Sequence, residues 1–257
     1  MSSLIIIGGG VGPMAGLELH RKIILNTNAP NGDSDHLPIL HLSFSSYIPD
    51  RTEFLLKNET TNPGIKMAEI VAKSCKSYSS QFDRFIIGVP CNTFHAKPIF
   101  NAFKRRLSNK ITFNTEIIII NMLDETIKDL QNEYSEGSRI GLLSTTGTRK
   151  SLVWKNHLTK AGYIPVELPY EKQEKVHNLI YNTEWGLKSY SPPTTKARKE
   201  LNSFIEELGN IGAEKIVLGC TELPLAISQR EKNIPVIDPV KSMAKAMLNE
   251  YFKQAHI

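Results

Sequence analysis

The sequence predicts an α/β fold with parallel sheets, arranged as two similar lobes. Three observations carry this. Short β-branched runs alternate with helix-compatible stretches along the chain. A glycine loop follows the first run, and a small-residue loop, Ser144-Thr145-Thr146-Gly147-Thr148, takes the corresponding place in the second half. A cysteine also follows a strand-like run twice, first in Phe85-Ile86-Ile87-Gly88-Val89-Pro90-Cys91-Asn92-Thr93-Phe94-His95 and later in Ile216-Val217-Leu218-Gly219-Cys220-Thr221-Glu222-Leu223-Pro224.

Taken in order, Leu4–Ile7 reads as a buried parallel strand, because it is short, β-branched and closed by glycines. Gly8–Gly12 leads into a helix over about 15–26, with Pro13 suited to a first helical turn, where its missing N–H costs nothing. A polar loop over 28–36 precedes a second strand at 38–44. Ile48-Pro49-Asp50-Arg51-Thr52 reads as a loop carrying a charge. Helical periodicity then runs through 65–74, where Ile65, Ala68, Ile70 and Val71 share a face. After the first cysteine strand and its helix, the second half opens on a strand at 116–120 and another at 139–143. A helix through Trp154 and His157, a strand at 163–166 and a helix over 172–181 follow. Beyond Ser191-Pro192-Pro193 come a helix over 197–208, the second cysteine strand, a last strand at 234–238 and a helix over 240–252.

Composition excludes several classes. With 257 residues, 40% hydrophobic and 22% charged, the chain is an ordinary globular protein with enough length to bury a sizeable core. The net charge of +5 is scattered, and its densest cluster, Lys104-Arg105-Arg106, is too short for a nucleic-acid footprint. The start of the chain has neither a basic leader nor an apolar run long enough to span a membrane. Three cysteines without a C-x-x-C pair indicate neither a disulfide framework nor a zinc ribbon, and free thiols point to the reducing cytoplasm. No metal and no cofactor is expected.

In open α/β sheets ligands sit beyond the carboxyl ends of the strands, where the two glycine or threonine loops and the two cysteine loops all fall. A cysteine leading into a helix feels the positive end of the helix dipole, which lowers its pKa from about 8.5. Either cysteine alone would be read as a small buried apolar residue. Two in matching places suggest a pair of proton carriers, one taking a proton from a carbon and the other delivering one to the opposite face. Cys75 sits in a helical stretch and is read as structural. Asn92, Thr93 and Thr221 can donate to a carboxylate, cap a helix, or do both. Arg51 can pair with a second carboxylate in forked geometry, although alone it would be a surface charge. His95, four residues after Cys91, is read as a capping or packing residue. The segment Gly10-Val11-Gly12-Pro13-Met14-Ala15 also fits a dinucleotide fingerprint. That reading ranks second, because Pro13 removes an N–H near the pyrophosphate position and Ser43-Phe44-Ser45 supplies no acid for a ribose.

Gly10–Ala15, Asp35-His36-Leu37-Pro38, Ile48–Thr52, Pro90–Thr93 with His95, Gly147-Thr148 and Gly219–Leu225, together and in this order, resemble the aspartate/glutamate racemase family, and its aspartate racemase branch most. The resemblance implies two flavodoxin-like lobes of four-stranded parallel sheets related by a pseudo-two-fold axis, with the site between them. The lobes would be 1–107 plus 236–257 (first cysteine) and 108–235 (second cysteine). It implies a cofactor-independent amino-acid racemase, often a homodimer, with Cys91 and Cys220 as the acid–base pair. Pro13, Met14, Arg51, Asn92, Thr93, Phe94, Thr148, Thr221 and Glu222 would bind the substrate, Arg51 taking the side-chain carboxylate. Two positions depart from the pattern. Trp185 stands, at the nearest alignment, where aspartate-type members carry a lysine, with Lys188 three residues beyond. Phe94 stands where a small alanine is usual. Both suggest a different or broader amino-acid range. The competing readings are an isomerase or decarboxylase of a small dicarboxylate on the same fold, and an amino-acid-binding protein without turnover.

Overall fold

A computed structural model describes residues 2–57, 61–111, 115–227 and 234–253. In chain order the elements are β1 (Ser3–Gly9), α1 (Pro13–Asn26), β2 (Ile39–Ser43), α2 (Arg51–Lys57), α3 (Pro63–Tyr78), β3 (Arg84–Gly88), α4 (Lys97–Ser108), β4 (Glu116–Ile120), α5 (Met122–Gln131) and β5 (Arg139–Ser144). There follow α6 (Thr146–Lys150), α7 (Val153–Lys160), β6 (Ile164–Glu167), α8 (Gln173–Tyr181), α9 (Thr195–Asn210), β7 (Lys215–Gly219), β8 (Val236–Ile237) and α10 (Pro239–Phe252). The chain divides into two compact units, Met1–Glu125 with Val240–Ile257, and Thr126–Pro239.

Each unit holds one four-stranded, wholly parallel sheet, in the orders β2-β1-β3-β4 and β6-β5-β7-β8. The second order repeats the first, and both lobes are flavodoxin-like. Two strands fall differently from the sequence reading. β4, expected to open the second half, pairs with β3 in the first sheet, and β8 pairs with β7 in the second. Edge strands are assigned by backbone pairing, which the local sequence does not record.

The central strands β1, β3 and β7 are buried along their whole length, as their unbroken apolar runs require, while β2, β4 and β6 are partly exposed edges. In the first unit Leu4 and Ile6 of β1 join Met67, Val71, Ile99 and Phe103 of α3 and α4 in one core. On α1, Ala15, Leu19 and Ile23 are buried, and α1 packs on β1. Met243 and Met247 of α10 lie against Gly88 of β3. A separate core in the second unit gathers Leu143, Val176, Leu179, Leu201, Phe204, Ile216 and Leu218.

Local signals account for the helix starts. Pro13 occupies the first turn of α1, as expected. Asn62 caps α3 by accepting from the Gly64 N–H at 2.9 Å, and Thr194 caps α9 by accepting from Ala197 N–H at 3.1 Å. The stretch read as a charged loop is corrected at its end, since Arg51 and Thr52 open α2. Asp50 accepts from the Glu53 N–H at 2.9 Å, so the sequence Asp50-Arg51-Thr52-Glu53 is a helix-start signal of the capping-box type. Among the described residues no helix is long and apolar enough to cross a membrane.

Candidate active site

Ligands of such sheets sit where the strand order reverses, between the first and third strands of each lobe. In the first lobe Ile7 pairs with Gly88, so the loop after β1 and the loop after β3 leave the sheet side by side. Gly10 (φ 83°) turns in the left-handed region, and a Cβ there would meet the Phe44 N–H nitrogen at 2.7 Å. Pro13 and Met14 follow at the start of α1.

Cys91 ends the β3 loop in extended backbone (φ −148°) and is 7% exposed. The expected helix does not start directly after it. A 3-10 turn, Asn92–His95, intervenes before α4, and Asn92, Thr93, Phe94 and His95 are all buried in it. The Phe94 ring is spent in the core, edge-on to Phe103 with centroids 5.4 Å apart. His95 fixes the turn from both ring nitrogens. The Met122 N–H donates to its Nε2 at 3.3 Å, which leaves Nδ1 as the protonated nitrogen, donating to the Cys91 carbonyl oxygen at 2.9 Å. Capping is therefore its part, in agreement with the sequence reading. Arg51 is buried at the start of α2 and donates from Nη1 to the Pro49 carbonyl at 3.4 Å.

In the second lobe Ser144 pairs with Gly219, which brings the threonine loop beside the second cysteine. Thr145 caps α6, its hydroxyl accepting from Thr148 N–H at 3.2 Å, and the two hydroxyl oxygens lie 3.0 Å apart. Thr148 is buried.

Cys220 is 6% exposed and leads into a 3-10 turn, Leu223–Ala226, not an α-helix. Its thiol donates to Glu222 Oε2 at 3.0 Å, the Thr221 hydroxyl donates to the same oxygen at 3.1 Å, and Lys188 Nζ donates to Oε1 at 2.7 Å. The sequence predicts a thiol lowered by a helix dipole, and at Cys220 that expectation fails. Burial first, and the Glu222 carboxylate after it, push the thiol well above its ordinary range. Burial alone would raise the Glu222 carboxyl too, but Lys188 and the hydrogen bonds from Cys220 and Thr221 hold it below the usual value. Burial would lower the Lys188 ammonium, but Glu222 holds it above its usual value.

Lys188 owes its place to the end of α8. The N–H groups of Leu187 and Lys188 return to the Leu179 and Ile180 carbonyls, each at 3.0 Å, closing the helix. Asn182 Oδ1 accepts from the N–H groups of Glu184 and Trp185, and a Cβ at Gly186 would meet the Asn182 carbonyl oxygen at 2.5 Å. This back-turn sends Trp185 and Lys188 to different places. Trp185 faces a separate hollow of about 550 Å³ beside α8 and α9, with Lys196 Nζ 4.1 Å from its ring centroid, while Lys188 reaches the cysteine loop. Sequence reasoning named Lys188 but could not pair it with Glu222, because the contact depends on the turn that ends α8.

The three cysteines are free thiols, and Cys75 is buried in α3 as the sequence suggests. Among the described residues no group of three or more His, Cys, Asp or Glu side chains is arranged to hold a metal ion.

Known proteins resemble this chain along most of its length. The family model described as Asp/Glu/Hydantoin racemase matches residues 9–247. The solved aspartate racemase of Picrophilus torridus is 26% identical, with a TM-score of 0.73 over 98% of this chain and 94% of that one. A Pyrococcus horikoshii protein described as an aspartate racemase homologue shares the fold at 19% identity, with a TM-score of 0.68 over 98% of this chain and all of that one. An "uncharacterized protein in pnlA 3′ region" of Pectobacterium carotovorum subsp. carotovorum is 29% identical over 139 residues, which are 52% of this chain and 85% of that protein.

Proposed function

The chain belongs to the Asp/Glu/Hydantoin racemase family, and from that premise we propose that it is a PLP-independent amino-acid racemase acting by 1,1-proton transfer between two cysteines. The observation that carries the reading is the matched placement of Cys91 and Cys220. Each is buried, free, and set in the loop after the third strand of a lobe whose strand order the other lobe repeats, Cys220 at once and Cys91 two residues on.

In this reading one cysteine, as thiolate, takes the Cα proton, and the electron pair stays on carbon beside the carboxylate. The other cysteine, as thiol, gives its proton to the opposite face. The N–H groups of the Asn92–His95 turn, the Phe94 backbone among them, and the Asn92 and Thr93 side chains hold the α-carboxylate, and Pro13, Met14, Thr148, Thr221 and Glu222 are further substrate ligands in this reading. Arg51 takes a side-chain carboxylate when the substrate has one. Aspartate is the first substrate to test, given the name of the Picrophilus relative, followed by a broader amino-acid panel. The reading extends to a cytoplasmic homodimer that uses no cofactor.

The test is racemisation in deuterium oxide with chiral separation of the products. Each inverted molecule should carry solvent deuterium at Cα. Cys91→Ser and Cys220→Ser should each lower the rate by about 10²–10⁴-fold, while Cys75→Ala retains it. Full activity in either serine variant refutes the two-base assignment. Amino-acid binding without deuterium exchange would make the chain a binding protein instead, and turnover of maleate or a malonate without racemisation would make it an isomerase or decarboxylase.

A further inference from the structure

The hollow of about 550 Å³ beside α8 and α9 is lined by none of the residues that the racemase reading uses. One face of each helix forms its walls. Lys172, Lys175 and Asn178 recur three residues apart into α8, and Lys196, Lys199, Ser203 and Glu207 recur three or four apart along α9. Contacts between the two walls bound it. Lys172 Nζ donates to both Glu207 carboxylate oxygens at 2.6 Å, and Lys196 Nζ lies 4.1 Å from the Trp185 ring centroid. From Lys196 to Glu207 helix α9 rises about 16 Å, so the hollow is an elongated groove.

Trp185 is fixed at its end of the groove by its own backbone. Its N–H donates to Asn182 Oδ1 at 3.1 Å, and its carbonyl accepts from the Thr194 hydroxyl at 3.1 Å, the same hydroxyl that caps α9. The half-buried ring packs on the second-lobe core and presents its remaining surface to the groove. Every cation in the lining is a lysine. Lys172 is taken by Glu207, whereas Lys175, Lys196 and Lys199 make no ion pair among the described residues, and the other lining carboxylate is Glu200.

Three such ammonium groups beside one carboxylate favour an anion. Lysine is a point charge suited to phosphate, and no arginine lines the groove to hold a planar carboxylate in a fork. The indole favours a planar ring, since a base stacked on an aromatic face gains more than an exposed ammonium does there. The volume lies in the range of sites that enclose a small ligand.

We propose that this groove is a binding site for a small molecule carrying both a planar ring and a phosphate group, of the mononucleotide kind. The ring stacks on Trp185 in place of the Lys196 side chain, and Lys196 turns with Lys175 and Lys199 to the phosphate. The site lies in the other lobe from Gly10–Ala15, the segment that fits a dinucleotide fingerprint.

The probes are AMP and CMP, with adenosine and inorganic phosphate as their halves, titrated into the full-length protein by calorimetry and by tryptophan fluorescence. A nucleotide should bind at least about tenfold more tightly than either half and should quench the fluorescence. The chain has two tryptophans, and Trp154 is fully buried in α7, so the quench should vanish in Trp185→Phe. Lys175 and Lys199 are exposed, so a double variant with Lys175→Gln and Lys199→Gln keeps its fold and should bind about tenfold or more weakly. Lys104→Gln, in the basic cluster of the first lobe, should leave binding unchanged. Failure of both nucleotides to bind overturns the proposal. So does inorganic phosphate binding as tightly as a nucleotide, which would make the lysines a patch for any anion. Nucleotide binding that survives the double variant, or that falls equally in Lys104→Gln, belongs elsewhere and overturns it too. Binding is read without turnover, so this result stands apart from the racemase reading.

Discussion

His95 Nδ1 lies 2.9 Å from the carbonyl oxygen of Cys91, the residue four places before it. With Nε2 accepting from Met122 N–H, one imidazole ties the cysteine backbone to the first residue of α5. His95→Ala removes both bonds and should cost about 1–3 kcal/mol in urea unfolding. If the turn sets the direction of the Cys91 thiol, racemisation should fall by about 10²-fold, mainly in kcat. A variant with wild-type kcat would reduce His95 to packing.

Cys75 makes the alkaline limb of stability predictable. Burial pushes its thiol up to about 12, against 9.0 for the exposed group. Between those values the unfolded chain has lost a proton that the folded chain keeps. Stability from this group is therefore full below pH 9 and falls as pH rises, by about 1.4 kcal/mol per unit. Cys220 is shifted in the same sense and adds to the slope. Cys75→Ala should flatten the stability–pH plot between pH 9 and 11 by close to one group's worth. An unchanged slope would mean that Cys75 is hydrated in the folded protein.

Arg84 is buried at the start of β3, donating to Glu116 Oε2 and to the Glu250 carbonyl at 2.8 Å each, and to the Glu250 carboxylate. Arg84→Met leaves the buried side of that network without its cation and should lower stability by about 3 kcal/mol. Lys215, buried at the start of β7 and paired with Glu133, is its counterpart in the second lobe. Denaturant unfolding of each single variant measures the loss, and a change under 1 kcal/mol at Arg84 would show the pair to be replaceable.

Gly64 lets α3 and α4 approach. An added Cβ would meet the Ile99 carbonyl oxygen at 2.2 Å and the Phe103 nitrogen at 3.0 Å, both backbone atoms. Gly64→Ala should therefore destabilise by about 1–3 kcal/mol, despite the better helix propensity of alanine. Thermal unfolding checks this, and a stabilised variant would contradict the packing described.

Much of this protein was legible in one dimension. The runs Leu4–Ile7, Phe85–Ile87 and Ile216–Leu218 announce fully buried parallel strands, because only a strand covered on both faces can be apolar without alternation. The cysteine and threonine loops were visible as punctuation after those runs, and so was the structural part of Cys75. Tertiary structure alone decided which sheet β4 and β8 join, since an edge strand is chosen by hydrogen-bond register and not by its own composition. It alone decided the proton state of Cys220 as well. Burial raises that thiol first and the Glu222 carboxylate next, and the carboxylate is held by Lys188, a residue brought back by the Asn182–Lys188 turn that sequence distance does not record.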